Sequence, residues 1–376
     1  MDLRRYPDVE GPGLVAVDAA DRLILDETAV LIDDLAVRRD EVVVIDDSYG
    51  ALTLGLLDPV PGTATIRVHQ DLVTGEQALA ANADRLGFAG FESVSLSPEL
   101  VTGARLVVMR LPRSLDRLAE VAAMIAAHAA PDAVVVGGGR IKHMTPRMND
   151  VLREVFDRVD VSHARQKSRV LFARGPQRDA AAGRVRSWPR TEQHPDVGLD
   201  VIAHGGVFAG TGVDIGTRLL LAHLTEAGAD ATLRTAVDLG CGNGTIAAWL
   251  ARAHPDARVL ATDRSAAAVA SAQATAAANG VADRVTVRRV DGADGIADGA
   301  VDVVVLNPPF HSDAALATGI AEHLFAESAR VLRPGGELWC VWNSHLRYRG
   351  ALTRIVGPTR QIARNPKFTV TASVRA

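Results

Sequence analysis

Three stretches of the chain put residue types at spacings that chemistry can use. In "AVDLGCGNG" an apolar run carries Asp238 and leads into Gly240-Cys241-Gly242-Asn243-Gly244. Glycines at alternate positions let the chain turn tightly without Cβ atoms, so a ligand can approach the backbone closely. The next apolar run, "ARVLATD", ends in Asp263 with Arg264 behind it, and "RVTVRRVD" ends at Asp291 before Gly292. An acid at the end of the second strand can accept both hydroxyls of a ribose, and Asp291 falls where an adenine amino group can be met. Lone aspartates also cap helices, and Asp263 precedes the Ala-rich "RSAAAVA", so that structural reading stands beside the first. Dinucleotides prefer G-x-G-x-x-G with pyrophosphate on the helix dipole. The G-x-G-x-G spacing after an acid instead suits S-adenosylmethionine, which has no phosphates. The expected cofactor set is therefore Asp238, Gly240, Cys241, Gly242, Asn243, Gly244, Asp263, Arg264, Asp291 and Gly292. Upstream, "GVFAGTGVDIGTRLLLAHL" adds Phe208 as a cover, with Gly212 and Asp214 lining the pocket; a plain loop entering a helix is the alternative.

The third stretch is "VVVLNPPFHSD", Val303 to Asp313. An apolar run of this kind fills a sheet buried on both faces. The prolines end it, because proline has no N–H to donate to a neighbouring strand. What remains is an amide, two stiff residues and a ring: Asn307, Pro308, Pro309 and Phe310. An exocyclic amine on a base is conjugated and a poor nucleophile. If the Asn307 side-chain oxygen and the Pro308 carbonyl each accept one of its N–H groups, its lone pair is steered toward an activated methyl group, and positioning supplies most of the rate. Asn307 then borders cofactor and substrate alike. Phe310 can stack on a base that has left its helix or come from a loop, and His311 can contact substrate or pack. A simple strand-ending turn is the bland reading of the tetrapeptide.

Strand ends must position these groups. Apolar runs alternate with Ala-rich helical runs along the whole chain, the pattern of an α/β protein with a largely parallel sheet. The first half repeats the second in outline. "EVVVIDDSYGALTLGLL" matches the strand, turn and helix from Ala236, and "ARLVVMRLPRSL" matches "AVDVVVLNPPF". The alignment pairs Asp46 with Asp238, Pro112 with Pro309 and Pro131 with Pro334. Gly240–Gly244 then faces Ser48-Tyr49-Gly50-Ala51-Leu52, and Asn307-Pro308-Pro309-Phe310 faces Arg110-Leu111-Pro112-Arg113. The expectation is a duplicated domain whose first copy keeps the fold and has lost the activity. It covers 1–176, a linker rich in Gly, Pro and charge covers 177–196, and the catalytic domain covers 197–376.

Composition narrows the partners. At 376 residues, 48% hydrophobic and 23% charged, two packed domains are expected and long disorder is not. Cys241 and Cys340 are too few for a disulfide framework or a four-ligand zinc site, so no metal is expected. The N-terminus has no apolar core of a secretory signal and no apolar run is long enough to span a bilayer, which points to a cytoplasmic chain with no membrane partner. The net charge of −4 argues against a generally basic nucleic-acid binder. Cations cluster nonetheless, from Arg140 to Arg190 and again from Arg347, Arg349 and Arg354 through Lys367 to Arg375, the latter with no acid among them. Such stripes can bind phosphates or be solvated surface; Arg347, Arg349 and Lys367 are the expected RNA contacts.

Taken together, "NPPFH", "VDLGCGNG" and "GVDIGTRLLL" resemble the bacterial ribosomal RNA guanine-N2 methyltransferases. The tail "NSHLRYRGALTRIVGPTRQIARNPKFTVTASVR" and the opening "RRYPDVEGPGLVAVDAADRLIL" are similar to the large-subunit rather than the small-subunit members. The resemblance implies an α/β chain of two tandem Rossmann-like class I methyltransferase domains, the N-terminal one degenerate. It implies a guanine of 23S ribosomal RNA as substrate, free or in a ribosomal subunit, S-adenosylmethionine as donor, and Asn307 and Phe310 facing the substrate. Three other readings stay open on the residues alone: a 16S ribosomal RNA target, a protein glutamine or small-molecule amine as acceptor, and a non-catalytic RNA-binding factor.

Overall fold

Valine-rich runs become the central strands of two separate sheets. Val42–Ile45 is buried at every position, and Val301–Leu306 at all but one, because each run is covered by helices on both faces. The structure, a computed structural model, describes residues 1–8, 10–11, 13–226, 233–308 and 314–376, with the main chain alone over 314–318. Two units separate in it, Met1–Trp188 and Pro189–Ala376.

The first unit carries β1 (Val42–Ile45), β2 (Ile66–His69), β3 (Phe91–Ser93), β4 (Leu106–Arg110), β5 (Val134–Arg140), β6 (Phe156–Val161) and β7 (Ser168–Pro176). The second opens on a hairpin of β8 (Arg190–His194) and β9 (Leu199–Ala203). Its sheet is built from β10 (Thr235–Leu239), β11 (Arg258–Asp263), β12 (Val285–Arg289), β13 (Val301–Leu306), β14 (Leu332–Asn343), β15 (Thr359–Arg364) and β16 (Phe368–Val374). The strand orders are β3-β2-β1-β4-β5-β7-β6 and β12-β11-β10-β13-β14-β16-β15. In each sheet the first five strands in chain order are parallel, and β7 or β16 runs antiparallel between its neighbours. Both sheets thus reverse their winding at the first strand, and in such sheets ligands bind in the crevice beyond the carboxyl ends at that switch point. In the second unit the crevice lies between the ends of β10 and β13, where the glycine turn and Asn307 emerge.

Backbone register corrects the pairing of the two halves at their first turn. Ile45 lies opposite His69 and Met109, and Leu239 lies opposite Thr262 and Leu306. Asp46 therefore corresponds to Gly240, and Asp238, inside its strand, corresponds to Val44. The turns agree: Asp46, Ser48 and Gly50 have φ of 57°, 61° and 95°, and Gly240, Gly242 and Gly244 have 72°, 52° and 78°. Matching acid to acid misaligned two residues that sit at different heights on the sheet. Register also places Arg110 at the position of Asn307, and Pro131 at that of Pro334.

The segment 177–196 is not an irregular linker. It forms the helix Arg178–Val185, with Ala181 buried, and then β8. Arg178 donates to the carbonyl of Ala129 at 2.9 Å, tying this helix to the first unit. A helix this short buries too little to show apolar periodicity, and β8 is polar because four of its five residues are exposed. Among the described residues no helix is long and apolar enough to cross a membrane.

Candidate active site

The glycine turn follows from its dihedrals. All three glycines are left-handed, a region costly for residues with a Cβ. Gly244 also has no room, since a Cβ there would lie 2.6 Å from the Ala272 Cα, where the helix Thr245–Ala253 approaches Ala266–Ala278. At Gly240 and Gly242 the opposite holds: a Cβ would meet no atom of the described residues within 4 Å. The turn is thus closed beneath Gly244 and open above Gly240 and Gly242, a cradle that side chains would fill. The Gly240 and Cys241 N–H groups donate to the Thr262 carbonyl at 2.8 and 2.9 Å, which seats the turn against the end of β11.

Asp263 stands at that end. Its carboxylate accepts from Gly242 N at 3.0 Å and from Ser265 N at 2.9 Å. Ser265, not Asp263, is the cap of the following helix. Val290 N donates to the Asp263 carbonyl at 3.0 Å, so Asp291 is brought alongside. The Asp291 carboxylate is half-buried and has no hydrogen-bond partner among the described residues. The open cradle and this unengaged acid fit an adenosine-type cofactor lying across the ends of β10, β11 and β12. Arg264 and Gly292 flank these acids, and Phe208, 48% exposed, lies on the loop after β9.

Several expected cofactor residues do other work. Asp238 is 1% exposed and accepts from Ala247 N at 2.9 Å, fastening the helix that follows the turn. Burial pushes its carboxyl up to about 7. Cys241 is buried, and desolvation raises its thiol well above the ordinary range, so it is no nucleophile. Asn243 turns inward, donating to the Gly210 and Gly212 carbonyls. Asp214 caps the helix Ile215–Leu221, accepting from Gly216 N and Thr217 N.

Asn307 sits directly beyond β13. Its Nδ2 donates to Thr217 Oγ1 at 3.0 Å and to Asp214 Oδ2 at 3.5 Å. A carboxylate can only accept, so the NH₂ end must face Asp214 and the oxygen must point away. That oxygen, Oδ1, is buried and has no hydrogen-bond partner among the described residues. An unsatisfied buried acceptor costs about 1–3 kcal/mol, which an N–H from a ligand would offset. Sequence reasoning missed Thr217, which lies three residues after the Asp214 cap, a residue type readable as a helix start. Pro309, Phe310 and His311 lie outside the described residues; Pro308 is buried.

The basic stripes are thinner in space than in sequence. Arg354 pairs with Glu322 at 2.7 Å and Arg360 with Glu337 at 2.8 Å, acids from outside the tail. In the middle stripe, Arg158 and Arg174 share Asp160, and Arg184 pairs with Glu154. Arg347 and Lys367 are exposed and without an ion pair among the described residues. Ser344 N donates to the Lys367 carbonyl at 2.9 Å, which gathers them at the carboxyl end of β14. Arg349 begins the helix Arg349–Ile355 and donates to the Thr359 carbonyl at 3.3 Å. No group of three or more His, Cys, Asp or Glu suited to a metal occurs among the described residues.

Residues 198–372 match the methyltransferase small domain, and 1–177 match the RLMG N-terminal domain. The chain is 36% identical to a ribosomal RNA large subunit methyltransferase G of Streptomyces coelicolor, over 99% of this chain and 97% of that one. It is 34% identical to the protein of the same name from Pseudomonas paraeruginosa, over 98% and 96%. Its fold is similar to that of a T. thermophilus 16S rRNA N2 G1207 methyltransferase solved with AdoMet and guanosine. That match has a TM-score of 0.74 at 21% identity, over 98% of this chain and 97% of that one.

Proposed function

The chain belongs to the ribosomal RNA large subunit methyltransferase G family, and we propose that Asn307 is the residue on which its chemistry turns. The reaction is S-adenosylmethionine-dependent methylation of guanine in ribosomal RNA. We take the acceptor to be the exocyclic N2 amine of a guanine, in the large-subunit RNA that the relatives' name gives. The RNA, free or within a ribosomal subunit, is the macromolecular partner, met in the cytoplasm.

One observation carries the role of Asn307: its NH₂ end is tied back to Asp214 and Thr217, and its buried oxygen has no partner among the described residues. An acceptor held this way suits an N–H of a planar amine. With the Pro308 carbonyl accepting the other N–H, the amine nitrogen is locked in orientation and its lone pair faces the cofactor side. As positive charge builds on the nitrogen, both oxygens stabilise it without reorganising. The open cradle at Gly240 and Gly242, with Asp263 and Asp291, would hold S-adenosylmethionine, which supplies an electrophilic methyl group when bound. Phe310 is assigned to stacking on the base, and Phe208 to covering the cofactor. We assign catalysis to the second unit and RNA holding to the first, with Arg347, Arg349 and Lys367 as further phosphate contacts.

The test is Asn307→Ala, measured by calorimetry with S-adenosylmethionine and by tritiated methyl transfer to ribosomal RNA and to large subunits lacking the modification. Cofactor binding should stay near the parent value while transfer falls by at least about 100-fold. Transfer at the parent rate would remove Asn307 from the mechanism.

A further inference from the structure

We infer that Asn243 is a positioning residue for the substrate-facing Asn307 amide, acting through the strap 210–214, and not a cofactor ligand. This rests on the reading of Asn307 as the substrate-facing acceptor. The Asn243 side chain is 7% exposed and engaged at both ends within the chain. Its Nδ2 donates to the Gly210 carbonyl at 2.8 Å and the Gly212 carbonyl at 3.0 Å. Its Oδ1 accepts from Thr245 Oγ1 at 2.7 Å and Thr245 N at 3.3 Å. A primary amide has two N–H hydrogens, so no donor remains for a ligand.

Thr211, between those two glycines, is held from the hairpin. Its carbonyl accepts from His194 Nε2 at 2.7 Å, and its hydroxyl donates to Glu192 at 2.8 Å. Three consecutive residues are therefore clamped, and two residues further on Asp214 supports the Asn307 amide. One side chain thus joins the glycine turn to the strap that orients the substrate acceptor. A displacement of about 1 Å at a reacting centre can cost about 100-fold in rate, so loss of this staple should act on turnover. In the first unit the corresponding residue is Tyr49, whose hydroxyl instead donates to Asp8 at 2.8 Å.

Two substitutions separate the roles. Asn243→Asp keeps the acceptor for Thr245 but sets a carboxylate oxygen against two carbonyls; Asn243→Ala removes both ends, and the hairpin contacts of Thr211 still hold the strap. The expected result is S-adenosylmethionine affinity within about threefold of the parent and kcat at saturating cofactor lower by about 30- to 100-fold, with Asp worse than Ala. Combined with Thr217→Val, which removes the other support of Asn307, the kcat losses should fail to add, because both act on one group. Weakened cofactor binding with unchanged kcat would make Asn243 a cofactor residue and overturn the inference, as would strict additivity with Thr217→Val. Asn307→Ala in the same assay distinguishes the two readings. If it is active, the substrate role of Asn307 falls. If it is inactive while Asn243→Asp turns over normally, only the positioning role falls.

Discussion

At the end of β13 an amide hangs from a helix-capping aspartate; at the end of β4 a guanidinium does. Arg110 donates to Asp18 Oδ1 at 2.8 Å and to Asp21 Oδ1 at 2.6 Å. Asp18 caps the helix Ala19–Leu35 by accepting from Ala20 N and Asp21 N, as Asp214 caps its own helix, and Asp21 stands where Thr217 stands. Burial would raise the Asp18 carboxyl, yet the Arg110 hydrogen bonds and charge hold it down at about 2. A guanidinium has donors only, so Arg110 offers an amine no oxygen at the position where Asn307 has one. The turns differ likewise. Asp46 and Ser48 place side chains where Gly240 and Gly242 leave open space, and the Asp46 carboxylate already accepts from Asp71 N at 3.0 Å. One backbone geometry thus carries internally paired side chains in the first unit and, among the described residues, an unpaired Asn307 oxygen and an open glycine turn in the second.

That contrast can be broken by moving residues across it. Asn307→Arg should have the largest effect. The new guanidinium would settle on Asp214 as Arg110 does on Asp18, leaving the fold intact and lowering methyl transfer by about 1,000-fold or more. Circular dichroism with a transfer assay checks both halves, and persistent transfer would show that no acceptor is needed at this position. Next comes the double change Gly240→Asp with Gly242→Ser. The first unit shows that such residues can hold these dihedrals, so each should cost only about 1 kcal/mol of stability. Their side chains would fill the cradle, and affinity for S-adenosylmethionine should fall by about 100-fold in calorimetry, with unchanged affinity contradicting the assigned cofactor position.

The smallest effect concerns pH. The buried Asp238 carboxyl is raised from 3.8 to about 7 in the folded chain. Between those values the native state holds a proton that the unfolded state has released. Its contribution to stability is therefore full below about pH 3.8 and is lost as pH rises through about 7. Asp238→Asn should flatten that part of the pH profile for the second unit's thermal transition. The first unit should keep its own slope, because Asp47, buried beneath its turn and also raised to about 7, is untouched. An unaltered profile for the second unit would mean that Asp238 is ionised in the fold at all these pH values.

Much of the site was legible because it lies at ends. A valine run stopped by Asn307-Pro308, a glycine turn after β10 and acids closing β11 and β12 are local patterns, and a parallel sheet brings such ends to one edge. The duplication was legible for the same reason, since hydrophobic runs of similar length recur. The register of the first turn was not, because composition matches Asp46 to Asp238 while only strand pairing shows which residue has left the sheet. Nor was the role of Asn243, whose partners are main-chain carbonyls more than thirty residues away. The tail looked uniformly basic because Glu322 and Glu337, which neutralise Arg354 and Arg360, come from other parts of the chain.

Sequence by itself determined the α/β class, the repeat, the cofactor-type turn and the amide at a strand end, since each follows from the order of apolar runs and the residues that interrupt them. Tertiary structure alone decided which way each polar group faces: Asp238 down into a helix start, Asn243 across to the strap, and the Asn307 oxygen into a buried space with no donor among the described residues. The reason is physical. Periodicity and turn chemistry are short-range and written along the chain, whereas hydrogen-bond satisfaction is settled among groups that only folding brings together.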